Sequence, residues 1–306
     1  MTFDQIASAA AEYQVVLEPD ENTPEWWAGA PSALLAADGA FYLACRMREG
    51  RSPRGRRGYE VRILKSQDGI HFQAIHHIRR EDAGLLGFER PALVQVPGTG
   101  KFRLYGCTPL ERGWAIIRWD DADDPAAIRP DTARPVLVVD YPDDQFVHVT
   151  GYKDPFVMHD GERWHMFVIG CDRVERAWHF TSADGDAWAP ANPGLIMDTG
   201  GWHDYFTRPA CLVPLAVGWL FVYEGSHVLW RDPVYNIATG LAYSPDLAHV
   251  VDLTPEQPLL QSTTPGDYHT WRYSHWLPVG DRLYVYFEAA RPNSTNEVRL
   301  AILPAG

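Results

Sequence analysis

Apolar residues fall along this chain in short runs, each closed by a turn bearing Gly, Pro or Asp, which is the pattern of short β-strands. One arrangement recurs: a polar opening, a Pro or small residue, an apolar run, a turn, then an aromatic-rich run. Its copies are GAPSALLAADGAFYLAC (29–45), ERPALVQVPGTGKFRLYGC (89–107), KDPFVMHDGERWHMFVIGC (153–171), TRPACLVPLAVGWLFVYEGS (207–226) and RYSHWLPVGDRLYVYFEAA (272–290). Pro31, Pro91, Pro155, Pro209 and Ser274 hold equivalent places, 60, 64, 54 and 65 residues apart. Turns at Asp38-Gly39, Gly98 to Gly100, Asp160-Gly161 and Gly280-Asp281 make each copy a hairpin.

A second hairpin follows three of the copies, in GYEVRILKSQDGIHF (58–72), RAWHFTSADGDAW (176–188) and IATGLAYSPDLAHV (237–250). Its turn is Ser66-x-Asp68-Gly69, Ser182-x-Asp184-Gly185 or Ser244-x-Asp246. Ser and Asp can accept backbone N–H bonds across such a turn, so a structural role without ligand is expected. Four antiparallel strands per copy and five copies predict an all-β, five-bladed β-propeller. The prediction is a single domain over 1–306, with blades starting near 29, 89, 153, 207 and 272. The last copy is one strand short, and EYQVVLEP (12–19) is expected to supply that strand and close the ring. Residues 3–12 are expected to form a short helix.

Composition narrows the function. Of 306 residues, 46% are hydrophobic, enough for a core and too many for a disordered chain. A net charge of −13 and a pI near 5.3 argue against nucleic acid or an anionic membrane as partner. No apolar run is long enough to span a bilayer. The first residues lack the basic and apolar regions of a secretory leader, so a cytoplasmic location is expected. Cys45, Cys107, Cys171 and Cys211 show no C-x-x-C spacing, which points to neither a zinc site nor a disulfide framework. No cofactor is expected, and metal and oligomeric state are left open.

In a propeller the first strand of each blade and the end of its second strand converge on one mouth. The strand starts there are Ala30, Glu89-Arg90, Lys153-Asp154, Thr207-Arg208 and Arg272-Tyr273. The second-strand ends run from Arg46, 108–113, Asp172 to Arg176, Glu224 to Asn236 and Glu288 to Asn296. Glu224 and Glu288 stand where the other copies are expected to place Leu43, Tyr105 and Ile169. A carboxylate there is either paired with Arg208, Arg272 or Arg291, or catalytic. Asp154 begins a first strand beside Lys153, as a turn former or as a catalytic group. Glu89 is a further candidate, or a salt-bridge partner.

Arg90, Arg208 and Arg272 form a cluster suited to carboxylate, sulfate or phosphate, although 24 Arg to 3 Lys makes arginine common everywhere. The run Arg46, Arg48, Arg51, Arg54, Arg56, Arg57 reads as a solvated loop overhanging the mouth. Tyr273, Trp271, His227, Lys153 and Arg291 complete the candidate substrate contacts. Trp26, Trp27, Trp202, Tyr205, Trp230 and Tyr235, with Trp271 and Tyr273, are rim aromatics, fewer than half of which are expected to touch sugar. His203, His227, His269 and His275 are candidates for acid–base work or a metal, or else structural histidines.

The segments FERPALV, YKDPFVMHDGERWHMFVIG and FTRPACLV, with SQDGIHF-type turns, resemble the five-bladed propeller glycosidases of glycoside hydrolase families 43, 32, 62, 68, 117 and 130. The resemblance covers about residues 25–304. Family 43 sets an Asp base on blade one, a pKa-tuning Asp on blade three and a Glu acid on blade four. Carried over, only Asp154 matches; Ala30 and Thr207 or Arg208 occupy the other places. The resemblance implies a glycoside hydrolase acting on a terminal sugar, an anionic one suiting the basic mouth, with Glu224 as acid, Asp154 as base, and Glu89 and Glu288 as alternates. Its alternatives are an inverting phosphorylase with arginine-bound phosphate, or a non-hydrolytic carbohydrate-binding, lyase or isomerase propeller. A small carbohydrate is the expected partner.

Overall fold

The computed structural model describes residues 2–50, 57–139, 149–172 and 174–304. A short helix, α1 (Phe3–Ala10), opens the chain, capped by Thr2 and Gln5 in a reciprocal box. Strand β1 (Gln14–Leu17) follows. The remaining strands form five consecutive antiparallel meanders. The first is β2 (Trp27–Leu35), β3 (Phe41–Arg48), β4 (Gly58–Ser66) and β5 (Gln73–Arg79). The second is β6 (Ala92–Gln95), β7 (Phe102–Pro109), β8 (Trp114–Arg118) and β9 (Arg134–Leu137). The third comprises β10 (Tyr152–His159), β11 (Trp164–Asp172), β12 (Val174–Ser182) and β13 (Ala189–Met197). The fourth holds β14 (Phe206–Pro214), β15 (Trp219–Ser226), β16 (Ala238–Ser244) and β17 (Val251–Asp252). The fifth has β18 (Trp271–Val279), β19 (Arg282–Ala290) and β20 (Asn296–Pro304), and β1 pairs antiparallel with β20.

First strands lie beside one another: β2 touches β6, β6 touches β10, β10 touches β14, β14 touches β18, and β18 touches β2. Apolar side chains fill the space between neighbouring meanders. Ile63, Phe88, Leu104 and Trp119 join the first to the second, and Tyr105, Ile116, Met166 and Phe180 the second to the third. Leu43, Leu64, Tyr286 and Leu300 join the first to the fifth. The inner strands are therefore covered on both faces, and every residue of β3 and β7 is buried.

The Ser-x-Asp turns are structural, as their chemistry predicts. Ser66 Oγ accepts the Asp68 and Gly69 N–H groups, and Asp68 Oδ1 accepts those of Ile70 and His71. Ser182 and Asp184 repeat this, and Ser244 and Asp246 do so with Leu247 held at φ 61° in the place of the glycine. These turns also tie meanders together, since the Tyr286 hydroxyl donates to Gly69 O and the Tyr105 hydroxyl to Gly185 O, each at 2.7 Å. No helix among the described residues is long and apolar enough to cross a membrane.

Candidate functional site

Bulges near the starts of the first strands build the site. The register slips between Gly29 and Ser32, Lys153 and Phe156, and Arg272 and His275. Ala30, Asp154 and Tyr273 sit in these bulges with φ of 51°, 56° and 53°, a strained region for side-chain-bearing residues. A bulge re-aims its side chain, and here it turns Asp154 and Tyr273 toward each other. The Tyr273 hydroxyl donates to Asp154 Oδ2 at 3.0 Å, and the Arg90 N–H donates to Oδ1 at 3.1 Å.

Above them lies a cavity of about 310 Å³, lined by Arg46, Arg48, Arg57, Lys153, Arg208 and Arg272, with Trp114, Tyr235 and Tyr273 as its aromatic wall. Among the described residues Glu89 is the single carboxylate in that lining. It takes a hydrogen bond from Arg46 Nη1, and its side chain is 14% exposed. The guanidinium of Arg48 lies 3.9 Å from the Trp27 ring centroid, and its Nε is buried with no hydrogen-bond partner. Burial holds the Arg48 pKa below its ordinary value.

Beneath the lining, Glu288 and Glu175 fix four of these cations. Glu288 accepts Arg272 Nη2 at 2.7 Å, Arg46 Nη2 at 3.0 Å, the Asn296 amide at 2.5 Å and the Ala30 N–H at 2.9 Å. Burial alone would raise this carboxyl; Arg272 and Arg46 overcome it and hold it low. The carboxylate lies so close to Gly29 that a Cβ there would sit 1.9 Å from Oε2, so only glycine fits. Glu175 bridges Lys153, at 2.5 Å, and Arg208. Against the effect of burial, those two cations bring it down to about 2. Arg90 is buried and donates to the carbonyls of Pro209 and Ala210.

Glu224 differs from Glu288. It stands opposite Arg208, accepts the Ser274 N–H at 3.1 Å, and its Oε2 is buried without a partner. Burial pushes its carboxyl up to about 7, with Arg90 and Arg208 opposing. A buried acid with a raised pKa stabilises the folded state most below its unfolded value. Stability is therefore expected to fall as pH climbs from 4.5 through about 7, and Glu224→Gln to flatten that slope. Urea melts across this range, wild type against variant, check the prediction; parallel slopes would refute it.

No protein-family model and no curated protein matches the sequence. Solved structures do. A glycoside hydrolase superposes with a TM-score of 0.72 at 14% identity, over 99% of this chain and 95% of its own. The β-1,2-mannobiose phosphorylase from Listeria innocua gives 0.68 at 13% identity, over 95% and 94%. A variant of the α-L-arabinofuranosidase arb93a from Fusarium graminearum gives 0.63 at 15% identity, over 95% and 97%. The chain has the fold of the propeller glycosidases.

On this propeller-glycosidase fold, the predicted residues separate into three groups. Glu89, Lys153, Arg208, Arg272 and Tyr273 line the cavity, and Asp154, Arg90, Glu224 and Glu288 lie buried directly around it. Three expected contacts lie outside the lining. Trp271 stacks on Phe287 at 3.6 Å and borders a different cavity beside α1. His227 sits 3.9 Å from Asp204, and Arg291 is taken by Glu297 and Glu18. The rim aromatics divide as well, with Tyr235 in the lining and Trp27 buried below it.

Two expectations about register and exposure are corrected. Leu43 and Tyr105 do not hold the place of Glu288: they pair with Ala33 and Ala92, further along their first strands, while Arg46 (opposite Gly29) and Ile169 (opposite Lys153) match Glu288 (opposite Arg272). Arg46 and Arg48 belong to β3 and are 1% and 6% exposed, not parts of a solvated loop. Arg51, Arg54 and Arg56 lie outside the described residues. His203 bonds Thr207 and Asp252, and burial drives His275 down to about 3. All four cysteines are free thiols, and among the described residues no three His, Cys, Asp or Glu side chains group as metal ligands. Glu175 and Trp114 carry no motif, and only the three-dimensional pairing reveals them.

Proposed function

We propose that this protein cleaves a glycosidic bond at the end of a glycan, in the mouth of a five-bladed propeller whose ring β1 closes. The mutual contacts of the five first strands and the β1–β20 pairing support that architecture. One observation carries the functional reading: among the described residues, six cationic side chains and a single carboxylate, Glu89, line the cavity. Forked guanidinium donors converging on a small volume suit an oxyanion. That oxyanion is either the carboxylate of an acidic sugar or an attacking phosphate. The names of the similar structures, which include hydrolases and a phosphorylase, agree with both.

Glu89 is the proton-transferring group at the bond. In phosphorolysis it suffices alone: its acid form gives a proton to the leaving oxygen while a phosphate oxygen bonds to the anomeric carbon. Hydrolysis requires a second carboxyl group. Glu224 fits that need, since its raised pKa and unpartnered Oε2 suit an acid, and Glu89, facing Arg46, then serves as base. Asp154 holds Tyr273 and the Arg90 backbone in place rather than acting as the base.

The test is a panel of uronic-acid and neutral glycosides, each with and without inorganic phosphate. Turnover of acidic glycosides alone identifies the first source of the oxyanion, and phosphate-dependent turnover the second. Neutral glycosides cleaved without phosphate would defeat the reading. Arg48→Ala is expected to raise KM for the anion about 10- to 100-fold, the worth of one charged hydrogen bond, with a smaller change in kcat.

A further inference from the structure

We propose that a second cavity, of about 350 Å³, behind the 227–236 loop is a subsite for a neutral sugar, the residue that follows the one cleaved in the mouth. The proposal rests on the glycoside-cleaving reading given above. Its volume is within the range of small-molecule sites.

The 227–236 loop forms a wall of both cavities. Val234 and Tyr235 line the mouth, while Trp230, Arg231 and Asn236 line the second cavity with Gln261, Ser262 and His269. A ligand reaching from one to the other thus crosses a single ridge. The ridge is held at several points. Val228 N–H donates to Asp204, Trp230 N–H to His227 O, Asn236 N–H to Asp232 O, and the Thr270 hydroxyl to Tyr235 O. Such a wall loses little freedom when a ligand binds.

The lining has the chemistry of sugar recognition. The Trp230 indole lies near-parallel to Trp202, 6.2 Å away at 22°, and Trp202 in turn stacks on Tyr223 at 5.7 Å. That stack fixes a flat apolar plate of the kind against which the C–H face of a pyranose packs. Around it stand two carboxamides, a hydroxyl and an imidazole, which offer both donors and acceptors to ring hydroxyls. The Asn236 Oδ1 accepts the His269 N–H at 3.0 Å, so the NH₂ is what that side chain has to offer a ligand. Charge separates this cavity from the mouth. Among the described residues its lining holds one cation, Arg231, which is paired with Asp267 at 3.1 Å, both well exposed. A neutral sugar fits here, and the anion belongs next door.

Binding to a printed array of mono- to tetrasaccharides, neutral and uronic-acid-terminated, tests this on wild type, Gln261→Leu and Trp230→Phe. Gln261 is exposed and phenylalanine can keep the stack on Trp202, so both variants are expected to fold. Wild type is expected to bind glycans of two or more residues at least about tenfold tighter than the matching monosaccharide, the worth of one good polar or stacking contact. Gln261→Leu should erase that gain, Trp230→Phe should reduce it, and both should leave monosaccharide binding unchanged. Equal affinity at all lengths, a gain that survives both variants, or no glycan bound by wild type overturns the subsite. Length-dependent binding without turnover of any glycoside would instead sink the catalytic reading and leave the subsite standing.

Discussion

Replacing Glu89 by glutamine is expected to lower kcat about 10²- to 10⁴-fold, the usual contribution of a positioned acid or base. Among the described residues its side chain is the one carboxylate in the cavity lining, so the proton transfer assigned to it has no substitute within that lining. Folding should hardly respond. Arg46, which Glu89 leaves behind, keeps its second bond to Glu288 at 3.0 Å, and Glu89 itself is partly in contact with solvent. The melting temperature is expected to move by about 3 °C or less. Single-turnover rates and thermal melts on the same preparation provide the check. If Glu89→Gln keeps wild-type rates on a glycoside that the protein turns over, another group moves the proton. Adding Glu224→Gln then decides between the two modes. In phosphorolysis the double variant should match Glu89→Gln, whereas in hydrolysis it should be slower than either single variant.

The architecture was legible because turns are local chemistry. Ser66, Asp68 and Gly69 set a loop by bonding their own backbone, and the same three positions recur at 182–185 and 244–247, so spacing alone exposes the repeat. The conversion of sequence to strand worked at β1 as well, where residues 12–19 were expected and Gln14–Leu17 pairs with β20. The site was less legible, for two physical reasons. A strand covered on both faces shows no alternation, so β3 gives no sign that it continues through Arg46 and Arg48 into the core. The arginine-rich composition after it looks like solvated loop. Bulges are the second reason. A shift of one residue in one strand of a hairpin changes which side chains face each other, and it hid Arg46 as the counterpart of Glu288. Glu175 shows a third limit, because its two partners, Lys153 and Arg208, come from different meanders.

Glu288→Ala is expected to be the most damaging single change to stability, at about 3–5 kcal/mol, because it leaves buried charges without their partner. Arg46 and Arg272 are 1% and 4% exposed, and both converge on this carboxylate together with the Asn296 amide and the Ala30 N–H. For a chain of this size the loss corresponds to a fall in melting temperature of about 5–8 °C. Activity should fall too, since Arg46 and Arg272 form part of the anion wall and would no longer be held in position. Two further variants separate anchoring from chemistry. Glu288→Gln keeps the shape and one acceptor, so it should recover part of the stability. Pairing Glu288→Ala with Arg272→Met removes one orphaned charge, and the double variant should be more stable than Glu288→Ala alone. A catalytic role predicts the opposite pattern, with normal melting of Glu288→Gln and a loss of kcat as deep as that of Glu89→Gln. Denaturant melts of the three variants beside their rates distinguish the two, and a Glu288→Ala protein that melts like wild type would show that the carboxylate does not hold the wall together.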